Sequence, residues 1–80
     1  MATILQADRE LDCKGLLCPM PVIKVTKEMK DLQVGQVLKM IATDPGSKPD
    51  MEAWTRQTGH ELLDAQSDGK VFTFYLKKTH

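Results

Sequence analysis

Two prolines set two residues apart, in Cys18-Pro19-Met20-Pro21, constrain this chain more than any other feature. Proline lacks a backbone N–H and its ring collides with the preceding turn, so helix interiors exclude it. The first turn tolerates it, because the N–H groups there have no partner within the helix. The stretch can open a helix but cannot lie inside one. The residues after it agree: Val22, Val25, Met29 and Leu32 recur at steps of three, four and three, one apolar stripe. Lys24, Lys27 and Lys30 occupy a different, solvated side. The pattern predicts a helix over residues 19–32 with Pro19 at its first position, Pro21 at its third and Cys18 at the cap, stopped before Gly35.

The remaining elements are set by periodicity and punctuation. Residues 9–13 alternate in polarity, with Leu11 and Cys13 on one face and Glu10 and Asp12 on the other, which predicts a strand. Lys14-Gly15 then forms a turn. Residues 37–43 are apolar on both faces, Val37 and Ile41 against Leu38, Met40 and Ala42, as a central strand requires. Asp44-Pro45-Gly46 is a turn; Ser47 then serves as an N-cap, with Asp50 as an imperfect capping-box partner. A second helix over 48–58 ends at Gly59. Residues 62–66 and 71–77 are strands of a hairpin turned by Ser67-Asp68-Gly69-Lys70.

The order βαβαββ predicts an α+β fold. Strands joined through a helix prefer to be parallel, and hairpin strands are antiparallel. The result is a mixed four-stranded sheet, and two helices suffice to cover only one of its faces: a two-layer α/β sandwich. Eighty residues make one domain, 1–80, with 1–8 expected as a flexible N-terminal tail. A chain of this size supports one modest core and no large enclosed active site.

Charge and composition exclude several functions. Eleven basic residues balance eleven acidic ones, so the excess of Lys and Arg that drives direct nucleic-acid binding is missing. No run approaches the ~20 apolar residues of a membrane span. Residues 1–8 lack the basic and apolar regions of a signal peptide, which makes the cytoplasm the expected location. Two cysteines are too few for the disulfide framework of a small secreted domain. No cofactor motif is present.

Cys18 is the candidate for chemistry; the plainer reading, a buried cap contact, is outweighed by two prolines that build a rigid helix start around a poor cap residue. A helix start holds roughly half a positive charge and favours an anion beside it, and a cysteine placed there can have its pKa lowered. If the first two strands are parallel, both helices start at one edge of the sheet, where open α/β sheets favour binding sites. Lys14 adds positive charge before the cysteine. Cys13, beside Leu11, is expected in the core; the alternative is a thiol that resolves an oxidised or persulfidated Cys18. Two cysteines and two histidines raise a zinc site only as a minor reading: His60 and His80 lack ligand-pair spacing, and His80 is expected to be mobile. Lys24 and Lys27, with Lys14, are candidates for docking an acidic partner, against the plainer reading of a solvated face balanced by Glu28 and Asp31. Trp54, three residues from Met51, is expected to pack in the core.

Leu11-Asp12-Cys13-Lys14-Gly15-Leu16-Leu17-Cys18-Pro19-Met20-Pro21 resembles the signature of the TusA (SirA-like) sulfur-carrier family, and Thr43-Asp44-Pro45-Gly46-Ser47 with Asp50 resembles its second block. The resemblance covers about residues 10–78 and implies the same βαβαββ fold. It implies that Cys18 accepts sulfane sulfur as a persulfide, with Leu11, Asp12, Gly15, Pro19 and Pro21 as scaffold. It further implies a carrier rather than a stand-alone enzyme. The sulfur donor would be a cysteine desulfurase or a rhodanese-type protein, and the acceptor a protein such as a DsrE-type or TusD-type subunit. tRNA thiolation, cofactor biosynthesis and sulfur oxidation are the pathways the family serves. Cys13 departs from the pattern, since many relatives carry no cysteine there. Two other classes stay open on the residues alone: a thiol redox module using both cysteines, and a non-catalytic regulatory binding domain. A small carrier that must expose its edge to several partners points to a monomer.

Overall fold

β1 (Arg9–Cys13), α1 (Met20–Asp31), β2 (Val37–Ala42), α2 (Ser47–Thr58), β3 (Glu61–Asp68) and β4 (Val71–Lys77) succeed one another along the chain. They are seen in a computed structural model that describes residues 7–17 and 20–80. The sheet order is β1-β2-β4-β3. β1 and β2 are parallel, and β4 runs antiparallel to both β2 and β3. The expected mixed sheet and α+β class are what the chain adopts.

β2 shows why the helices share one face. Leu38, Met40 and Ala42 are fully buried, while Val37, Lys39 and Ile41 stay half-buried. The buried row continues across the sheet through register: Leu11 faces Met40 and Cys13 faces Ala42, and on the other side Phe74 and Phe72 face the same two residues. Val25, Met29 and Leu32 from the first helical segment and Met51 and Trp54 from α2 close over that row as one core. Burying each of the larger side chains, such as Phe74 or Leu38, contributes about 1.5–3 kcal/mol. Trp54 is in this core as expected, and its indole N–H donates to Thr26 Oγ1 at 3.0 Å, so α1 and α2 are joined by a polar bond as well.

Four local expectations are corrected. Ser47 is not the cap of α2. Gly46 occupies that position with helical φ and ψ, and Ser47 is already the first helical residue, its N–H donating to Asp44 O at 2.9 Å. The Ser47 hydroxyl is buried, with no hydrogen-bond partner among the described residues. The β3–β4 hairpin turns one residue later than expected: Asp68 pairs with Val71, so Gly69-Lys70 is the two-residue loop. Gly69 alone takes a positive φ, +63°, at its first central position, the pattern of a II′ turn. β3 is longer than expected and carries an irregularity between Leu62 and Asp64, which hides its alternation. Asp8, expected in a flexible tail, is bonded on both sides to Val37, through Asp8 N to Val37 O and Val37 N to Asp8 Oδ2, each at 2.8 Å. The rest of that tail, residues 1–6, lies outside the described residues.

The end of the sandwich away from the β1 and β2 exits is closed by the C-terminal residues. Lys78 Nζ donates to Leu32 O at 2.6 Å, satisfying a carbonyl just past the end of α1. Gly59, at φ +82°, ends α2 as expected and donates its N–H to Thr55 O. His80, far from being loose, stacks on His60 with centroids 4.5 Å apart, and His60 stacks on Trp54 at 5.4 Å.

Candidate functional site

Parallel pairing of β1 with β2 sets Cys13 opposite Ala42, so both strands leave the sheet at one edge. The loops that leave them use the same device. Asp12 Oδ1 accepts the N–H of Lys14 at 2.9 Å, and Asp44 Oδ1 accepts the N–H of Gly46 at 3.1 Å. Each carboxylate bonds backbone two residues on, as turn-forming Asp does. Asp12 thus fixes the backbone of the turn that leads toward Cys18.

The two loops are also joined to each other. Gly15 N donates to Thr43 Oγ1 at 2.9 Å, across 28 positions of sequence. Gly15 sits at φ +80°, a conformation other L-residues rarely adopt, and an added Cβ would meet nothing within 4 Å. Glycine is required there by its backbone angle and not by crowding. Leu16 N donates to Cys13 O at 3.2 Å, and Met20 N to Leu17 O at 2.9 Å. Pro21 is buried in the first turn of α1. Cys18 and Pro19, and with them the expected N-cap and first helical positions, lie outside the described residues.

The surface around this stretch is apolar and cationic. Leu17 is 72% exposed, Met20 44% and Ile23 51%, unusual for large hydrophobic side chains so close together in sequence. Lys14, Lys24 and Lys27 are all exposed. Ile23, Lys27 and Lys30 line a shallow groove along α1 with Val22 and Thr26. Glu28 and Asp31 pair with Arg9 of β1, at 2.9 and 3.8 Å. The acids expected to balance the lysines are therefore drawn toward the sheet. Residue-by-residue reading missed two parts of this site. Thr43 was visible only as one member of a motif block, because its bond to Gly15 depends on strand pairing. The exposed trio of Leu17, Met20 and Ile23 was legible in principle, since Met20 and Ile23 fall outside the stripe of Val22, Val25 and Met29.

Cys13 is fully buried at the end of β1. Burial pushes its thiol pKa up, Lys24 pulls it slightly down and Asp12 raises it. Cys13 thus lies in the core, where a thiol is a weaker nucleophile than an exposed one. Among the described residues no group of three or more His, Cys, Asp or Glu comes together as a metal site. The two histidines stack ring on ring instead, and His60 Nδ1 accepts the Thr79 N–H at 3.2 Å. No described helix is long and apolar enough to cross a membrane.

Comparison with known proteins agrees with this geometry. The family model described as sulfurtransferase TusA matches residues 9–78. A protein described as putative sulfur carrier protein YrkI from Bacillus subtilis is 42% identical over 74 residues, covering 92% of this chain and 99% of the relative. Sulfur carrier protein TusA of Allochromatium vinosum is 46% identical over 72 residues, covering 90% and 95%. The B. subtilis putative sulfur carrier protein YrkF is 48% identical over 75 residues, 94% of this chain, but the chain spans only 40% of that relative's length. The crystal structure of a SirA-like protein from Desulfitobacterium hafniense shares the fold, with a TM-score of 0.78 at 20% identity over 90% of this chain and 99% of that one. With its strand, loop and helix order reproduced and 70 of its positions matched by the family model, from 9 through 78, the chain belongs to the TusA family.

Proposed function

We propose that this chain is a sulfur carrier that takes up sulfane sulfur on Cys18 as a persulfide and delivers it to an acceptor protein. The observation that supports the reading is the exposure of the residues on either side of Cys18-Pro19. Leu17 before them and Met20 after them are both exposed, at the sheet edge where two loops are bonded to one another. An exposed edge can be reached by one protein after another, which an enclosed pocket would prevent.

The step balances without a redox partner. The Cys18 thiolate attacks the outer sulfur of a donor persulfide, a new bond forms from Cys18 Sγ to that sulfur, and the donor's S–S bond breaks. The electron pair leaves on the donor, which departs as a thiolate, and the outer sulfur carries its hydrogen to Cys18. Delivery runs the same exchange in the opposite sense. The donor would be a cysteine desulfurase or a rhodanese-type protein, and the acceptor a DsrE-type or TusD-type subunit. Lys14, Lys24 and Lys27 would steer acidic partners toward the apolar patch of Leu17, Met20 and Ile23, with charge setting encounter rate and the patch setting residence. Asp12, Gly15 and Pro21 hold the loop, with Pro19 expected to join them.

Incubation with a cysteine desulfurase and cysteine, followed by intact mass, tests the reading. Wild type is expected to gain one sulfur atom that a reductant removes, and Cys18→Ala to gain none. Equal uptake by both, or no uptake by wild type, would overturn it.

A further inference from the structure

The geometry points to the outer side of α1 and its junction with α2 as a docking groove for an acidic, extended segment of another protein, one that carries a ring and an aliphatic side chain. Two open depressions adjoin there. The first, of about 240 Å³, is walled by Met29 and by the stacked rings of Trp54, His60 and His80. The second, of about 350 Å³, is walled by Val22, Ile23 and Lys27. Thr26 and Lys30 line both, which makes them one groove. The groove includes neither Cys18 nor the two loops at the sheet edge, so the inference stands apart from the carrier reading.

The hydroxyls inside the groove are already engaged. Thr26 Oγ1 donates to Val22 O at 2.9 Å and accepts the Trp54 indole N–H at 3.0 Å, and Thr58 Oγ1 donates to Trp54 O at 2.7 Å. Apolar wall and positive charge are what remain to meet a partner. Lys27 and Lys30 are exposed, and no acidic side chain lines either depression. The two acids of α1, Glu28 and Asp31, both reach Arg9 instead, so among the described residues neither lysine has an ion-pair partner. Lys78 adds a third cation at the far wall. Carboxylates therefore complement the middle of the groove, and apolar side chains its two ends: a ring beside the aromatic stack, an aliphatic group beside Ile23, which is 51% exposed. Small ligands are bound in concave sites that bury most of their surface. Two open depressions side by side suit a chain that lays one side chain in each. Eleven basic residues against eleven acidic ones weigh against a nucleic-acid backbone as the occupant.

NMR titration of the full chain with three end-blocked peptides tests this: Phe-Glu-Asp-Glu-Leu, its uncharged counterpart Phe-Gln-Asn-Gln-Leu, and Gly-Glu-Asp-Glu-Gly, which lacks both anchors. The first is expected to move the Trp54 indole N–H and the amides of Thr26, Lys30 and Thr58 saturably at millimolar concentration, and to bind more weakly as salt is raised. Each of the other two is expected to bind at least about threefold more weakly. Lys27→Glu and Lys30→Glu are both exposed changes, and each is expected to weaken binding on the order of three- to tenfold. Lys70→Glu, in the β3–β4 loop outside the groove, is expected to leave it unchanged. Four results would each overturn the inference. The four signals do not move; the uncharged or the anchorless peptide binds as tightly as the first; Lys30→Glu has no effect; or the shifts fall on Lys14, Leu17 and Met20 instead. Tighter binding of phenylacetate or of a single-stranded oligouridylate at the same signals would reassign the groove, to a small ring-bearing acid or to nucleic acid, and overturn it as well.

Discussion

After β1, Asp12 bonds the Lys14 N–H; after β2, Asp44 bonds the Gly46 N–H. Both parallel strands leave the sheet at the same edge, toward a helix of 12 residues, and each exit carries an Asp bonded to backbone two residues on, at the last-but-one residue of β1 and two residues past β2. From there the two units diverge. The first presents Leu17, Met20 and Ile23 to solvent. The second turns Ser47, Met51 and Trp54 inward, each no more than 5% exposed. The first unit adds exposed apolar residues to its buried stripe of Val25 and Met29, the second turns its large ones inward, and the Gly15–Thr43 bond joins the two. The lesson is that a repeated local device does not imply a repeated role. What the loop hands on to its helix decides.

The strongest way to break this contrast is to truncate one residue on each side and measure urea unfolding. Met51→Ala, fully buried, is expected to cost about 2–5 kcal/mol. Leu17→Ala is expected to change stability by less than about 0.5 kcal/mol and to slow sulfur uptake from a protein donor instead. Equal stability losses would erase the distinction between displayed and supporting loops.

A smaller effect of opposite sign sharpens it. The Ser47 hydroxyl is buried with no partner among the described residues, a cost that the supporting unit bears at its own helix start. Ser47→Ala is expected to raise stability by up to about 1 kcal/mol, seen as a higher Tm. A clear loss of stability would mean that this hydroxyl holds the loop after all.

The smallest effect lies at the far end and should leave both loops alone. Burial, then the neighbouring His80 and Lys78, hold the His60 pKa below its ordinary value. Its Nδ1 accepts the Thr79 N–H, a bond that a proton on that nitrogen removes. A histidine whose pKa is lowered by folding contributes stability above its unfolded pKa and loses it as pH falls through the folded value. Tm is therefore expected to drop as pH falls below about 6.5, less so in His60→Asn, with alkylation of Cys18 giving no sign of the change. A pH-independent Tm across that range would refute the assignment.

Much of this was legible in residue order. The stripe of Val22, Val25 and Met29 announced a helix packed on one side, and the two-faced run of Val37 to Ala42 announced a central strand. Both are read from spacing within a single element, and both elements are where spacing put them. The Gly15–Thr43 bond, the Trp54–His60–His80 stack and the pairing of Arg9 with Glu28 were not legible. Each joins residues that only folding brings together. Ser47 misled because a good cap residue stood one place too late: the Asp44 turn and Gly46 had already begun the helix. At Cys18 the reading stays with the sequence motif and the family.

The irregularity in β3 has a consequence for the free rim of the sheet. β3 forms one rim of the sheet, and a free rim invites another strand to add to it. Between Leu62 and Asp64 the register shifts, so a straight incoming strand falls out of step. Just beyond, the Ala65 N–H is already taken by Asp64 Oδ1 at 2.9 Å, and Gln66 Nε2 holds the other oxygen of that carboxylate at 2.8 Å. A donor that would seed sheet extension is thus occupied from within its own strand. Along that stretch the rim resists the addition of a straight strand.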